Sequence, residues 1–123
     1  MGKREDIQGI LLSLKACLML GRFSVMDRAK NRQGLIDLGI GANERREELL
    51  VLVPEDYVAG PKPDDTDDTK QVWEFGRRVN GKDVYIKFRI VPDPRNKRVH
   101  WATIWSFHPA EYAMKYPLKG GEV

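Results

Sequence analysis

The stretch Gln71-Val72-Trp73-Glu74-Phe75-Gly76-Arg77-Arg78-Val79, the pair Asn80-Gly81, and Lys82-Asp83-Val84-Tyr85-Ile86-Lys87-Phe88-Arg89-Ile90-Val91 together decide the fold. Side chains alternate with a period of two on both sides of Asn80-Gly81, and that dipeptide is a strong hairpin signal because a type I′ turn needs positive φ at both central residues. A two-residue loop pairs Val79 with Lys82, and every further pair follows. On one face Trp73 meets Phe88, Phe75 meets Ile86 and Arg77 meets Val84. That face is apolar apart from Arg77 and is expected to pack on helices. The other face carries Glu74 against Lys87, Gly76 against Tyr85, Arg78 against Asp83 and Val72 against Arg89. It is expected to face solvent, with the glycine leaving open space beside the tyrosine.

Working outward, a third strand is expected over Arg98 to Phe107, after a turn at Pro92 to Lys97. Upstream, Ile7, Ile10, Leu11, Leu14 and Leu18 recur at three and four, the stripe of a helix that Gly21 ends. A second helix is expected from Asp27, as N-cap, to Gly39, and a third from Asn43 to Pro54. Residues 54–69 hold three prolines and Asp64, Asp65, Asp67 and Asp68, and read as an acidic loop with little regular structure. The expected architecture is a single α+β domain over residues 1–123, with N-terminal helices packed on a small twisted antiparallel sheet.

With 123 residues the chain has room for one domain, and 41% hydrophobic with 32% charged residues is an ordinary globular composition. Cys17 is the only cysteine, which excludes an intrachain disulfide and any cysteine-based metal site. The run Ile10 to Leu20 is broken by Ser13 and Lys15, so no membrane helix is expected and the cytoplasm is the expected location. Charge is uneven. Residues 1–53 carry 9 Lys and Arg against 7 Asp and Glu, residues 54–69 carry 1 against 6, and residues 70–123 carry 11 against 5. A basic C-terminal half suits a polyanionic partner such as nucleic acid, although many soluble proteins without one share that balance.

The outward cluster has two readings. One is a solvated sheet face held by cross-strand ion pairs. The other is a surface that binds RNA or cleaves its phosphodiester, with Glu74 or Tyr85 as general base and Lys87, Arg89 and Arg78 as cations. His108, at the end of the third strand, suits proton exchange near neutral pH. No Cys, Asp or Glu stands at ligand spacing around His100 or His108, so no metal or other cofactor is expected. Trp73, Trp101 and Trp105 fall in apolar strands and are expected in the core rather than as base-stacking platforms. No phosphate loop, nucleophile elbow or zinc pattern occurs.

Several short motifs in order carry a family resemblance. Pro54-Glu55-Asp56-Tyr57 leads to Gly60-Pro61, followed by Val72-Trp73-Glu74-Phe75-Gly76 and Val84-Tyr85-Ile86-Lys87. Ser106-Phe107-His108-Pro109-Ala110-Glu111-Tyr112 and Tyr116-Pro117 close the series, and a helical stretch Phe23-Ser24-Val25 precedes Arg28, Lys30 and Asn31. Over roughly residues 20–119 the chain resembles the MqsR family of type II toxin–antitoxin toxins. The resemblance implies a RelE-like fold, metal-independent mRNA cleavage, possible action on the ribosome, and silencing by a cognate antitoxin that often binds DNA. It places Tyr85 at the family's catalytic tyrosine and Lys87 in its Tyr-x-Lys strand. Glu74 stands where the best-known member has glutamine, His108 where it has lysine, and Lys62 is the nearest match to the family's loop lysine.

Such cleavage uses the ribose 2′-hydroxyl as internal nucleophile, so the protein removes one proton, stabilises growing negative charge and protonates the leaving 5′-oxygen. The expected base is Glu74 or His108. Lys87 with Arg77, Arg78 or Arg89 is expected to stabilise charge, and Tyr85 to orient or act as acid. Lys62, Arg77, Arg78 and Arg89 are the expected RNA contacts. The competing expectation is a module that binds RNA or a protein without cutting.

Overall fold

A computed structural model describes residues 3–119. Three helices, α1 (Arg4–Met19), α2 (Ala29–Leu38) and α3 (Ala42–Leu50), accompany five strands. These are β1 (Phe23–Val25), β2 (Tyr57–Pro63), β3 (Gln71–Val79), β4 (Lys82–Asp93) and β5 (Asn96–Pro109), in the sheet order β1-β5-β4-β3-β2. The protein is thus α+β, but the sheet has five strands rather than the three expected, and it is mixed because β1 runs parallel to β5. Phe23–Val25 is a strand and not the helical stretch named in the family resemblance.

The hairpin follows the register derived from its turn, with Trp73 opposite Phe88, Glu74 opposite Lys87 and Gly76 opposite Tyr85. Asn80 and Gly81 both take positive φ, the backbone that a type I′ turn requires. Trp73, Phe75, Ile86 and Phe88 face inward and pack with Ile7, Leu11, Leu14 and Leu18 of α1. Phe75 and Phe88 stack at 5.6 Å between ring centroids. Burial of this kind is the main source of stability, and cutting a core phenylalanine back to alanine costs about 3–5 kcal/mol.

The acidic stretch is more ordered than its composition suggests. Pro54–Asp56 forms a 3-10 turn, and Tyr57–Pro63 is an edge strand antiparallel to β3 with irregular register. Prolines are tolerated there because an edge strand need not donate every ladder hydrogen bond. Only residues 64–70 remain a loop, and they fold back over the outer face of β3 and β4, where Asp64 pairs with Arg89.

Two features of the supposedly open face are therefore different. Val72 is 1% exposed rather than solvated. Gly76 leaves no open space, because a Cβ there would lie 2.6 Å from Cε of Met114 and 2.7 Å from the Tyr116 hydroxyl. The segment after β5 crosses the sheet at this point. Neither Trp101 nor Trp105 joins the buried core, in contrast to Trp73, since both project from the outer face of β5. Helix α2 starts one residue after Arg28, and Asp27 is not its cap; α3 begins at Ala42 after Gly41.

Helix α2 finishes the edge of β5. Strand β1 pairs only with Ala102 to Ile104, which leaves the β5 backbone beyond it without a neighbouring strand. Asn31, buried on α2, supplies the missing partners: its Oδ1 accepts from Phe107 N–H and its Nδ2 donates to the Trp105 carbonyl. A side-chain amide thus continues the ladder in place of a peptide group. Gly34 lets the helix approach closely, since a Cβ there would stand 2.9 Å from both Cα and Cβ of His108.

Candidate functional site

Adjacent strands bring Lys62, Glu74, Tyr85 and His108 to one face. Tyr85 stands directly opposite Gly76 on one side and His108 on the other. With no side chain at Gly76, the phenol reaches diagonally to Glu74, a neighbour within range of a long aromatic side chain. The Tyr85 hydroxyl donates to Glu74 Oε2 over 2.5 Å. Lys62 Nζ approaches the same oxygen at 3.0 Å. The His108 ring lies 5.8 Å from that of Tyr85, centroid to centroid. Glu74, Tyr85 and His108 line a cleft of about 400 Å³ with Val58 and residues 110–115.

The electrostatics assign a state to the tyrosine. Burial, reinforced by the hydrogen bond to Glu74 and its negative charge, pushes the Tyr85 phenol well above its ordinary range. Tyr85 is therefore a protonated donor at neutral pH and not the general base that composition alone left open. His108 is buried, with Nδ1 2.9 Å from its neighbour Pro109's carbonyl oxygen. A carbonyl only accepts, so the proton of a neutral ring sits on Nδ1 and the lone pair on Nε2.

The expected cations divide. Lys87, opposite Ser106 and beside the cleft residues, approaches Asp65 at 3.8 Å. Arg89 shares the outer face but is held by Asp64 at 2.7 Å and lies over the Trp105 ring at 5.5 Å. Arg78 is at the hairpin turn, where it pairs with Asp83 and donates to the Gly81 carbonyl. Arg77 belongs to the opposite face, bound to Glu48 at 2.7 Å and near Asp56. Arg77 is thus separated from the cluster by the thickness of the sheet.

One cation that sequence reasoning left without a role stands at the site. Arg28 donates through Nη1 to the Ser106 hydroxyl at 3.0 Å and the Trp105 carbonyl at 3.1 Å. Its charge also acts on Tyr85 and Glu111. Lys30 pairs with Glu111, a residue lining the cleft, at 2.9 Å. The sequence signal was the polar run Arg28, Lys30, Asn31 at the start of a helix otherwise buried by Gly34 and Leu38.

Chemically, the cluster offers a carboxylate, a neutral phenol, an imidazole with one free lone pair and flanking ammonium and guanidinium groups. Among the described residues no three His, Cys, Asp or Glu side chains converge as a metal-binding group. No protein-family model matches the chain, and no curated protein matches it.

Proposed function

We propose that this protein is a metal-independent endoribonuclease, the mRNA-cleaving toxin of a type II toxin–antitoxin pair of the MqsR, RelE-like kind. The observation that carries the reading is the convergence of Lys62 and Tyr85 on one carboxylate oxygen of Glu74, with His108 beside the same tyrosine, on the wall of one cleft. A solvated face of cross-strand ion pairs has no need of a half-buried phenol and a buried imidazole.

In this mechanism Glu74 takes the proton of the ribose 2′-hydroxyl, and His108, acting in its imidazolium form with a second proton on Nε2, delivers that proton to the leaving 5′-oxygen. A carboxylate and an imidazolium form a base and acid pair, and the proton held by Glu74 and the one lost from Nε2 are exchanged with solvent between turnovers. Tyr85, held protonated, positions Glu74 and offers its dipole to the developing charge. Lys62 and Lys87 stabilise the phosphorane-like transition state electrostatically. The products are a 2′,3′-cyclic phosphate and a free 5′-hydroxyl. The proposed partners are mRNA, on the ribosome or free, and a neighbouring antitoxin protein that masks the cleft.

The test is incubation of the purified protein with a defined RNA in excess chelator, with and without ribosomes. Cleavage with cyclic phosphate ends, lost in Glu74→Gln, is expected. No cleavage in either setting overturns the nuclease reading and leaves a module that binds without cutting.

A further inference from the structure

Beyond the cleft, the outer face of the sheet continues along the β4–β5 hairpin. We propose that this face, from Lys87 to the hairpin tip at Arg95, is a track for single-stranded RNA on which Trp101 stacks one base. The identity of the strand as RNA rests on the nuclease reading; the track itself rests on the placement that follows.

Tyr85, Lys87, Arg89 and Val91 point outward from β4, and their partners on β5 are His108, Ser106, Thr103 and Trp101. The path therefore begins at the cleft and ends at an indole. At about 3.3 Å per residue, the six-residue advance from Tyr85 to Val91 covers about 20 Å, room for a few nucleotides. Basic groups stand at both ends, Arg28 and Lys87 near the cleft and exposed Arg95, Lys97 and Arg98 at the tip, while Arg89 between them is paired with Asp64 and mostly covered.

Trp101 is not buried in the core but spread over the sheet edge. Its Nε1–H donates to Ser24 Oγ on β1 at 3.3 Å, which ties the ring across from β5. Arg95 lies over the ring at 6.0 Å and 3.8 Å from Asp93, with its side chain 83% exposed, so exchanging this long pair, solvent-facing on the arginine side, for a base and its phosphate costs little. A ring fixed at its edge, with an exposed guanidinium above it and further cations nearby, is what single-strand binders use: stacking is indifferent to base identity, and charge follows the backbone. Duplex RNA has no unstacked base to place there. An acidic peptide would satisfy the cations but has no use for the indole.

The probe is a fluorescein-labelled 12-nucleotide RNA carrying 2′-O-methyl groups, which supplies no 2′-hydroxyl nucleophile and so reports binding apart from cleavage. Binding to the full chain is expected to fall about 5- to 150-fold in Trp101→Ala, the usual span for loss of one stacking contact, while Trp101→Phe retains most of it. The double variant Lys97→Ser/Arg98→Ser, at exposed positions that bear on no core contact, is expected to flatten the log–log salt dependence by about 1.4, given about 0.7 per neutralised phosphate. Equal affinity of wild type and all variants overturns the track, as does failure of the wild type to bind. Binding of poly-glutamate with the same Trp101 dependence also overturns it in favour of a protein partner. Loss of cleavage with these binding effects intact counts only against the nuclease reading.

Discussion

The hydroxyl of Tyr85 and Oε2 of Glu74 are 2.5 Å apart, joined diagonally between two strands rather than across a directly opposed pair. The diagonal exists because the residue opposite Tyr85 is Gly76, and the space above that glycine is filled by Met114 and Tyr116 from the segment after β5. The phenol is thereby walled in on one side and directed to the carboxylate on the other. Sheet register, a missing side chain and a returning tail jointly fix this hydrogen bond.

Tyr85→Phe should keep the fold and lose that donor. A hydrogen bond to a charged group contributes about 1.5–3 kcal/mol, so a stability loss of that size is expected in urea unfolding. Under the nuclease reading, cleavage falls about 100-fold, the lower range for loss of one donor to the developing charge. Because the folded state raises the phenol's pKa, its contribution is complete below about pH 10, the ordinary phenol value, and is lost only as pH climbs through the raised one. Spectroscopic titration near pH 10 should thus look the same in wild type and Tyr85→Phe; a tyrosinate signal missing from the variant in that range would contradict this assignment.

Gly34→Ala tests how His108 is placed. The added methyl meets His108 Cα and Cβ and the Phe107 carbonyl, all rigid strand positions, so the helix must move off β5. Overpacking of this kind costs about 1–3 kcal/mol. Thermal unfolding should show the loss, and cleavage should fall more than Gly9→Ala causes, since Gly9 has nothing within 4 Å of its would-be Cβ. Equal behaviour of the two variants would show that α2 does not set the imidazole.

How much of this was readable beforehand follows from the range of the interactions. The turn Asn80-Gly81 fixes its own register, so the pairs from Trp73–Phe88 to Val79–Lys82 could be written from sequence. The placement of Glu74, Tyr85 and Lys87 on one face followed from the same local rule, and the structure adds His108 opposite Tyr85. Long-range pairing was not legible. Phe23–Val25 is three residues long and becomes a strand only because β5 offers an edge. Tyr57–Pro63 looks like a loop by its prolines, and pairs only because β3 is already there. Arg77 was rightly placed on the helix-facing side by alternation, yet its partners Glu48 and Asp56 could not be foreseen, and they separate it from the RNA-binding role assigned to it.

Asp64 should make the covering loop sensitive to acid. Burial raises its pKa, but the Thr66 N–H and hydroxyl and the Arg89 guanidinium outweigh this and leave it below the ordinary value. A lowered folded-state pKa means that the carboxylate stabilises the fold above about pH 4, the ordinary Asp value, and that this support disappears as pH falls through the lowered one. Release of Arg89 from Asp64 would alter the Trp105 indole beneath it. Tryptophan fluorescence is therefore expected to change on acidification below about pH 4, whereas Asp64→Asn should show the altered signal at neutral pH and no such acid step.

Asp65 differs from its neighbour in what it can give up. Its side chain is 92% exposed and reaches Lys87 at 3.8 Å, whereas that of Asp64 is 2% exposed and bonded to both Thr66 and Arg89. Exposed pairs of this kind contribute about 0.2–1 kcal/mol, so an incoming phosphate can displace Asp65 from Lys87 at little cost. Asp65→Asn removes a repulsive charge beside the track and leaves the loop anchored. The same 2′-O-methyl oligonucleotide should bind up to about 5-fold more tightly to this variant at low salt, the factor corresponding to that energy, and the gain should shrink as salt screens it. Weaker binding, or a gain that persists at high salt, would mean that Asp65 does not compete with the nucleic acid for Lys87.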